Sequence, residues 1–203
     1  MNTTEMSDAD LVLSVLSGNQ ADFKTLMERY QQKIFSYLYR FLYENRDAAE
    51  DVTQSTFIKV YKNLKTVDTG LPLQPWIFRI AHNEAANYLR TISRKKESRL
   101  DDRQWDHIAS PENSPEIEKE ENQAIINRAL EKLKTKYREV IVLHYFEEKS
   151  YQEIAEILGT STNSVGTLLR RGRLKLQDIL KQFGITTLMI FAFLLRTPAT
   201  HRT

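Results

Sequence analysis

The chain of 203 residues is 41% hydrophobic and 28% charged, enough to bury one or two modest cores. It contains no cysteine, which excludes disulfides, thiolate metal sites and cysteine nucleophiles and accords with a cytoplasmic location. The net charge of +2 conceals segregation: residues 101–122 carry eight acids and two bases, whereas Arg170, Arg171, Arg173, Lys175 and Lys181 stand near a single Asp178.

The opening MNTTEMSDADLVLSVLSGNQ has no basic segment and no continuous apolar core, so no signal peptide is expected. Apolar residues then recur every three or four positions almost throughout, which predicts an all-α protein. Asp8 or Ser7 is placed to cap a first helix that ends near Gly18. A second runs from about Ala21 to Tyr43, with Phe23, Leu26, Met27, Tyr30, Ile34, Tyr37, Leu38 and Phe41 on one side. Asp47 with Glu50 resembles a capping box opening a third helix that reaches about Leu64. The stretch TVDTGLPLQP cannot continue it, and Pro75 suits the first turn of the next helix, WIFRIAHNEAANYLRTI.

Beyond the basic SRKKESR, residues 98–117 read as an acidic, flexible linker with Pro111 and Pro115. A second helical domain spans 118–182. Thr135 is expected to cap one of its helices, and Ser150 with Glu153 forms a capping box for another. The apolar run from Leu188 to Leu195 is far shorter than the ~20 residues a membrane span requires. The tail 183–203 is either a docking helix or a loosely ordered extension.

The stretch SYQEIAEILGTSTNSVGTLLRRGRLKL has the pattern of a helix-turn-helix. Small Ala155 lets two helices approach, and Gly159 supplies the turn's left-handed backbone. Val165 and Leu168 close the core against Ile154 and Leu158, and Ser161 caps the second helix. Thr162 and Asn163 are then free to meet phosphates or base edges, and an ordinary buried hairpin would not need the arginines that follow. Helical phase puts Thr162, Gly166, Arg170 and Arg173 on one face and Gly172 on another with Val165, Leu168, Leu169 and Leu176. Gly166 is accordingly expected to allow approach to DNA and Gly172 to allow close packing; simple tolerance of both is the alternative. In the helix after Pro75, Trp76, Ile77, Ile80, Ala81, Ala85, Tyr88, Leu89 and Ile92 form an apolar stripe. Arg79, Asn83, Asn87, Arg90 and Arg94 lie opposite, a mixture of cations and amides that suits phosphates and exposed bases.

Three segments in this order, AEDVTQSTFIKVYKNL (49–64), PWIFRIAHNEAANYLR (75–90) and the helix-turn-helix at 150–176, resemble the sigma-70 superfamily. The resemblance is to its small extracytoplasmic-function (ECF) sigma factors. It implies a region 2-like domain (1–97), which binds core RNA polymerase and recognises and melts the −10 element. It also implies a region 4-like domain (118–182), which reads the −35 element. Carried onto this sequence, polymerase contact falls to Glu50, Asp51, Gln54, Ile58 and Lys62, with Asp51 and Gln54 the best match to the motif. The −10 DNA falls to Val67, in the 66–74 loop, and to Arg79, Asn83, Asn87, Arg90 and Arg94. The −35 DNA falls to Thr162, Asn163, Gly166, Thr167, Arg170, Arg171 and Arg173. Partners implied are core RNA polymerase, promoter DNA and an anti-sigma factor, with no cofactor and no small-molecule substrate. The family often carries lysine or arginine where Gly166 stands, so one cation is absent from the DNA face.

A one-component helix-turn-helix regulator is the alternative, accounting for residues 150–182 but not for the loop and basic face at 66–94. No enzyme is expected. The chain has no phosphate-binding glycine loop, and His82, His107, His144 and His201 lack metal or triad spacing.

Overall fold

The computed structural model describes residues 6–97 and 124–183, and every regular element among them is helical. α1 (Asp8–Leu16) starts from a reciprocal capping box in which Ser7 accepts from the Asp10 N–H and the Asp10 carboxylate accepts from Ser7. Its Asp8 carboxylate is tied to Arg29 and to the Tyr30 hydroxyl of α2 (Ala21–Phe41). α2 buries Leu26, Tyr30, Ile34, Tyr37, Leu38 and Phe41, the periodic face expected from the sequence.

α2 ends two residues before the expected Tyr43. Tyr43 and Glu44 both take left-handed backbone (φ 61° and 55°), a conformation that side chains other than glycine seldom adopt. This reversal delivers Asn45, in extended conformation, to the start of α3 (Arg46–Asn63), where its side chain accepts from the Ala48 N–H at 2.9 Å. The capping box expected at Asp47 and Glu50 does not form. Glu50 pairs instead with the Arg46 guanidinium at 2.8 Å, because Asn45 already occupies the cap. A 3-10 turn, Leu64–Thr66, leads to the short loop before α4 (Leu73–Glu97), with Pro75 in its first turn.

The second half opens with a helical stretch at 124–131, α5, whose expected start near residue 118 lies outside the described residues. α6 (Thr135–Ile141) follows, and Thr135 is its first residue rather than its cap: Lys134 holds that position without a side-chain bond. One π-helical turn, Val142–Phe146, continues it. α7 (Tyr151–Leu158) and α8 (Thr162–Gln182) form the helix-turn-helix. The linker expected at 98–117 and the tail beyond Phe183 lie outside the described residues.

The halves touch. α2 and α4 pack on α6, the π turn and α7, and buried apolar side chains run from one half into the other. α4 therefore buries two flanks. Ile77, Ala81 and Ala85 lie on the expected stripe, while Phe78, outside it, is also fully buried, 5.4 Å from the Tyr37 ring.

Candidate polymerase and promoter surfaces

Three surface clefts coincide with three of the expected functions. On α2 and α3, Phe23, Met27, Gln31, Thr53, Gln54, Phe57, Ile58, Tyr61 and Lys62 line an apolar cleft of about 420 Å³. Burying Val52, Phe57 and Val60 on one side of α3 turns the opposite side outward. It leaves Ile58 55% and Tyr61 42% exposed, so apolar surface faces water there. Phe23 meets Tyr61 edge to face at 4.9 Å, which fixes the rim. Of the five residues expected to bind polymerase, Gln54, Ile58 and Lys62 line the cleft. Asp51 is exposed one turn away, toward Tyr88, whose hydroxyl is pushed up by burial and then by the charges of Asp51 and Asp47. Glu50 is engaged by Arg46.

The second cleft, about 280 Å³, lies between α3 and α4 and is lined by Lys59, Asn63, Thr66, Trp76, Ile80, Asn83, Glu84 and Asn87. Three amides converge there on one apolar wall. Lys59 and Glu84 form an ion pair across it, joining the two helices that supply the amides. Asn83 and Asn87 were expected from the sequence, and Thr66 opens the expected 66–74 loop; Asn63 and Lys59 were not expected, because their part depends on α3 and α4 lying side by side. Asn63 donates from its amide nitrogen to the Lys59 carbonyl at 2.8 Å, which leaves its amide oxygen to accept a partner. Arg79, Arg90 and Arg94 are exposed along the same helix outside the cleft. Val67 is partly buried, packed against the core.

The third cleft lies on the helix-turn-helix. Gly159 adopts the left-handed turn (φ 62°), Ser161 accepts from the Ser164 N–H at 3.2 Å, and Ser150 with Glu153 closes a reciprocal box on α7. Ile154, Ala155, Val165 and Leu169 are buried between the helices. Outward, Tyr151, Thr162, Asn163, Gly166, Thr167 and Arg170 line a shallow groove. A β-carbon on Gly166 would stand 3.6 Å from the Tyr151 ring, so the missing side chain leaves the groove its depth. Tyr151 was not anticipated. Its ring rests edge-on against His144, 5.3 Å away, and the His144 Nδ1 in turn lies 2.9 Å from the Lys149 carbonyl. Of the remaining residues expected at −35 DNA, Arg171 and Arg173 are exposed outside the groove; burial raises the nearby Tyr145 hydroxyl, against the opposing charge of Arg173. Gly172 faces inward: a β-carbon there would meet Ile141 Cγ1 at 3.3 Å and Tyr137 Cβ at 3.4 Å.

The clefts fall within regions already defined in other proteins. Residues 26–95 match sigma-70 region 2, and residues 123–176 match sigma-70 region 4. The ECF RNA polymerase sigma factor SigW of Bacillus subtilis is 32% identical over 187 residues, 87% of this chain and 98% of SigW. The chain belongs to the ECF sigma factors. Among solved structures, CnrH in complex with the cytosolic domain of CnrY superposes with a TM-score of 0.65 at 27% identity, over 86% of this chain and 97% of CnrH. RpoE of Bartonella quintana, solved with the anti-sigma factor NepR, shares the fold at 24% identity with a TM-score of 0.63, over 79% of this chain and 97% of RpoE. Among the described residues of this sigma factor, no helix is long and apolar enough to cross a membrane, and no cluster of histidine and acidic side chains is arranged to hold a metal ion.

Proposed function

We propose that this ECF sigma factor seats core RNA polymerase on the α2–α3 cleft, captures an unstacked −10 base in the α3–α4 cleft and reads −35 duplex with α8. The observation that carries the reading is the convergence of Asn63, Asn83 and Asn87 against Trp76 and Ile80. Amides supply donor and acceptor edges to a flipped base, and the apolar wall gives it a stacking surface that offsets the few kcal/mol of unstacking. Arg79, Arg90 and Arg94 then follow the strand's phosphates. At the other end, the free N–H groups of the first turn of α8, with Thr162, Asn163 and Arg170 around the Gly166 depression, suit a phosphate or base edge in the major groove. The sigma factor works in the cytoplasm without catalysis of its own, and an anti-sigma factor is the further partner implied by the resemblance.

The test is reconstitution with core polymerase on a fluorescent promoter carrying a base analogue in the −10 element. Asn83→Ala should weaken open-complex formation by tenfold or more while closed-complex binding changes little, as expected for loss of a bidentate amide contact. Equal loss in both would contradict base capture. Failure of Gln54→Ala with Asp51→Arg to reduce polymerase affinity would contradict the assignment of the α2–α3 cleft.

A further inference from the structure

The cleft between α3 and α4 holds a carboxylate that capture of a base by amides does not require. Glu84 lies one turn beyond Ile80 and two beyond Trp76 on the same face of α4, with Asn83 and Asn87 beside it. Its side chain is 12% exposed, and its Oε1 pairs with the Lys59 ammonium of α3, whose side chain is 48% exposed. Oε2 has no hydrogen-bond partner among the described residues, and neither has the side-chain amide of Asn83 or Asn87. An acid is a poor choice for a surface that meets a polyanion, because it repels the phosphates that the neighbouring arginines attract. Joining the helices does not call for it either. α3 and α4 already pack on each other within the apolar core, and an ion pair with one partner half open to water adds little to that.

To a flipped base, a carboxylate offers two acceptor oxygens side by side and no donor. Guanine alone among the four bases presents two adjacent donors on its Watson–Crick edge, N1–H and the N2 amino group. Thymine has N3–H there, and adenine and cytosine have one amino group each. Beside guanine's two donors stands O6, an acceptor, and the cleft holds donors for it in the Asn83 and Asn87 amides. Trp76 and Ile80 supply the wall on which the ring lies, and a cleft of about 280 Å³ has room for one base rather than a run of strand. Lys59, the more exposed member of the ion pair, is free to turn to the strand's phosphate. The nearly enclosed carboxylate it leaves then needs other donors, and a base that brings fewer than two leaves one of its oxygens unpaired.

We propose that Glu84 determines the specificity of this cleft and makes it a guanine site. Its carboxylate accepts from N1–H and the N2 amino group, the asparagine amides donate to O6, and Lys59 turns from Glu84 to the backbone phosphate. This rests on the base-capture reading above and adds to it which base is captured.

The test uses the full chain assembled with core polymerase, mixed with single strands randomised across the −10 element; the bound strands are sequenced. The position at which Asn83→Ala erases selection is the captured one. There the unsubstituted protein should prefer guanine to each other base by about tenfold or more. A strand with hypoxanthine at that position, which lacks only the N2 amino group, should bind about tenfold more weakly than guanine. A strand with 7-deazaguanine, which keeps N1–H, N2 and O6, should bind as guanine does. Glu84→Gln keeps the length of the side chain but has a single acceptor oxygen, so it should bind guanine and hypoxanthine strands alike. Lys59→Met breaks the same ion pair and leaves the carboxylate. It should weaken all strands equally, reduce the salt slope by about one and keep the preference for guanine. Selection of another base, or a Glu84→Gln protein that still tells guanine from hypoxanthine, overturns the proposal. So do identical effects of Glu84→Gln and Lys59→Met on every strand, since the pair would then only tie α3 to α4. Circular dichroism on each variant separates lost folding from lost preference, and the hypoxanthine comparison on the unsubstituted protein decides the matter even where a variant does not fold. If Asn83→Ala erases selection at no position, base capture itself fails. If it does so at one position and Glu84→Gln leaves the preference there intact, capture stands and the role of Glu84 alone falls.

Discussion

Two glycines on one helix make opposite demands, and substitution separates them. At Gly172 a methyl group would press on Ile141 and Tyr137, both themselves packed in the core, at 3.3 and 3.4 Å. Overpacking of about 1–3 kcal/mol then exceeds the helix gain of nearly 1 kcal/mol. Gly172→Ala should therefore lower stability by about 1 kcal/mol in urea denaturation, and Gly172→Leu by more. At Gly166 the same methyl meets only the edge of Tyr151 at an ordinary 3.6 Å. Gly166→Ala should raise stability by roughly 0.5–1 kcal/mol while weakening −35 duplex binding in an anisotropy titration, because the groove becomes shallower. Gain of stability with unchanged DNA affinity would reduce Gly166 to a tolerated residue. This division was legible in the sequence, since helical phase alone sorts the two faces; the part played by Tyr151 was not, since it approaches Gly166 from the preceding helix.

At the scale of elements, short-range chemistry was readable and tertiary placement was not. Ser7, Ser150 and Ser161 cap where their spacing to the next polar residue predicts, because both partners lie within three residues. The start of α3 departs from the sequence pattern. The spacing of Asp47 and Glu50 fits a box, but the left-handed pair Tyr43 and Glu44 turns the chain so that Asn45 arrives first. Asn45→Ala should cost about 1 kcal/mol, and Asp47→Ala a few tenths at most, in thermal denaturation. The reverse order would restore the sequence-based cap. The second flank of α4 escaped notice for a related reason. Phe78 lies off the expected stripe and is buried between Tyr37 of α2 and Lys149 of the other half. The α3–α4 cleft was half legible: Asn83 and Asn87 share a helical face, whereas Asn63 and Lys59 join them across a helix pair.

For the whole molecule, the joint between the halves leaves a signature in the pH dependence of stability. Burial raises the Glu147 carboxyl from 4.5 to about 7, against the opposing charges of Arg40 and Lys33 on α2 and Lys149 beside it, with Glu148 adding to the rise. The unfolded carboxyl ionises near its ordinary value. Between about 4.5 and about 7 the folded chain therefore holds a proton that the unfolded chain has released. The sign follows: the contribution is fully present below the ordinary value and is lost as pH rises through 7. Lys149 acts in the opposite sense, because burial lowers its ammonium from 10.5 and penalises the charged form until it is deprotonated. Glu147→Gln removes the first effect and leaves the second. The unsubstituted protein should lose roughly 2 kcal/mol between pH 5 and 7.5 relative to Glu147→Gln, on the order of 5 °C in the melting temperature. Parallel melting curves for the two proteins across that range would mean that Glu147 is not buried by α2 in solution.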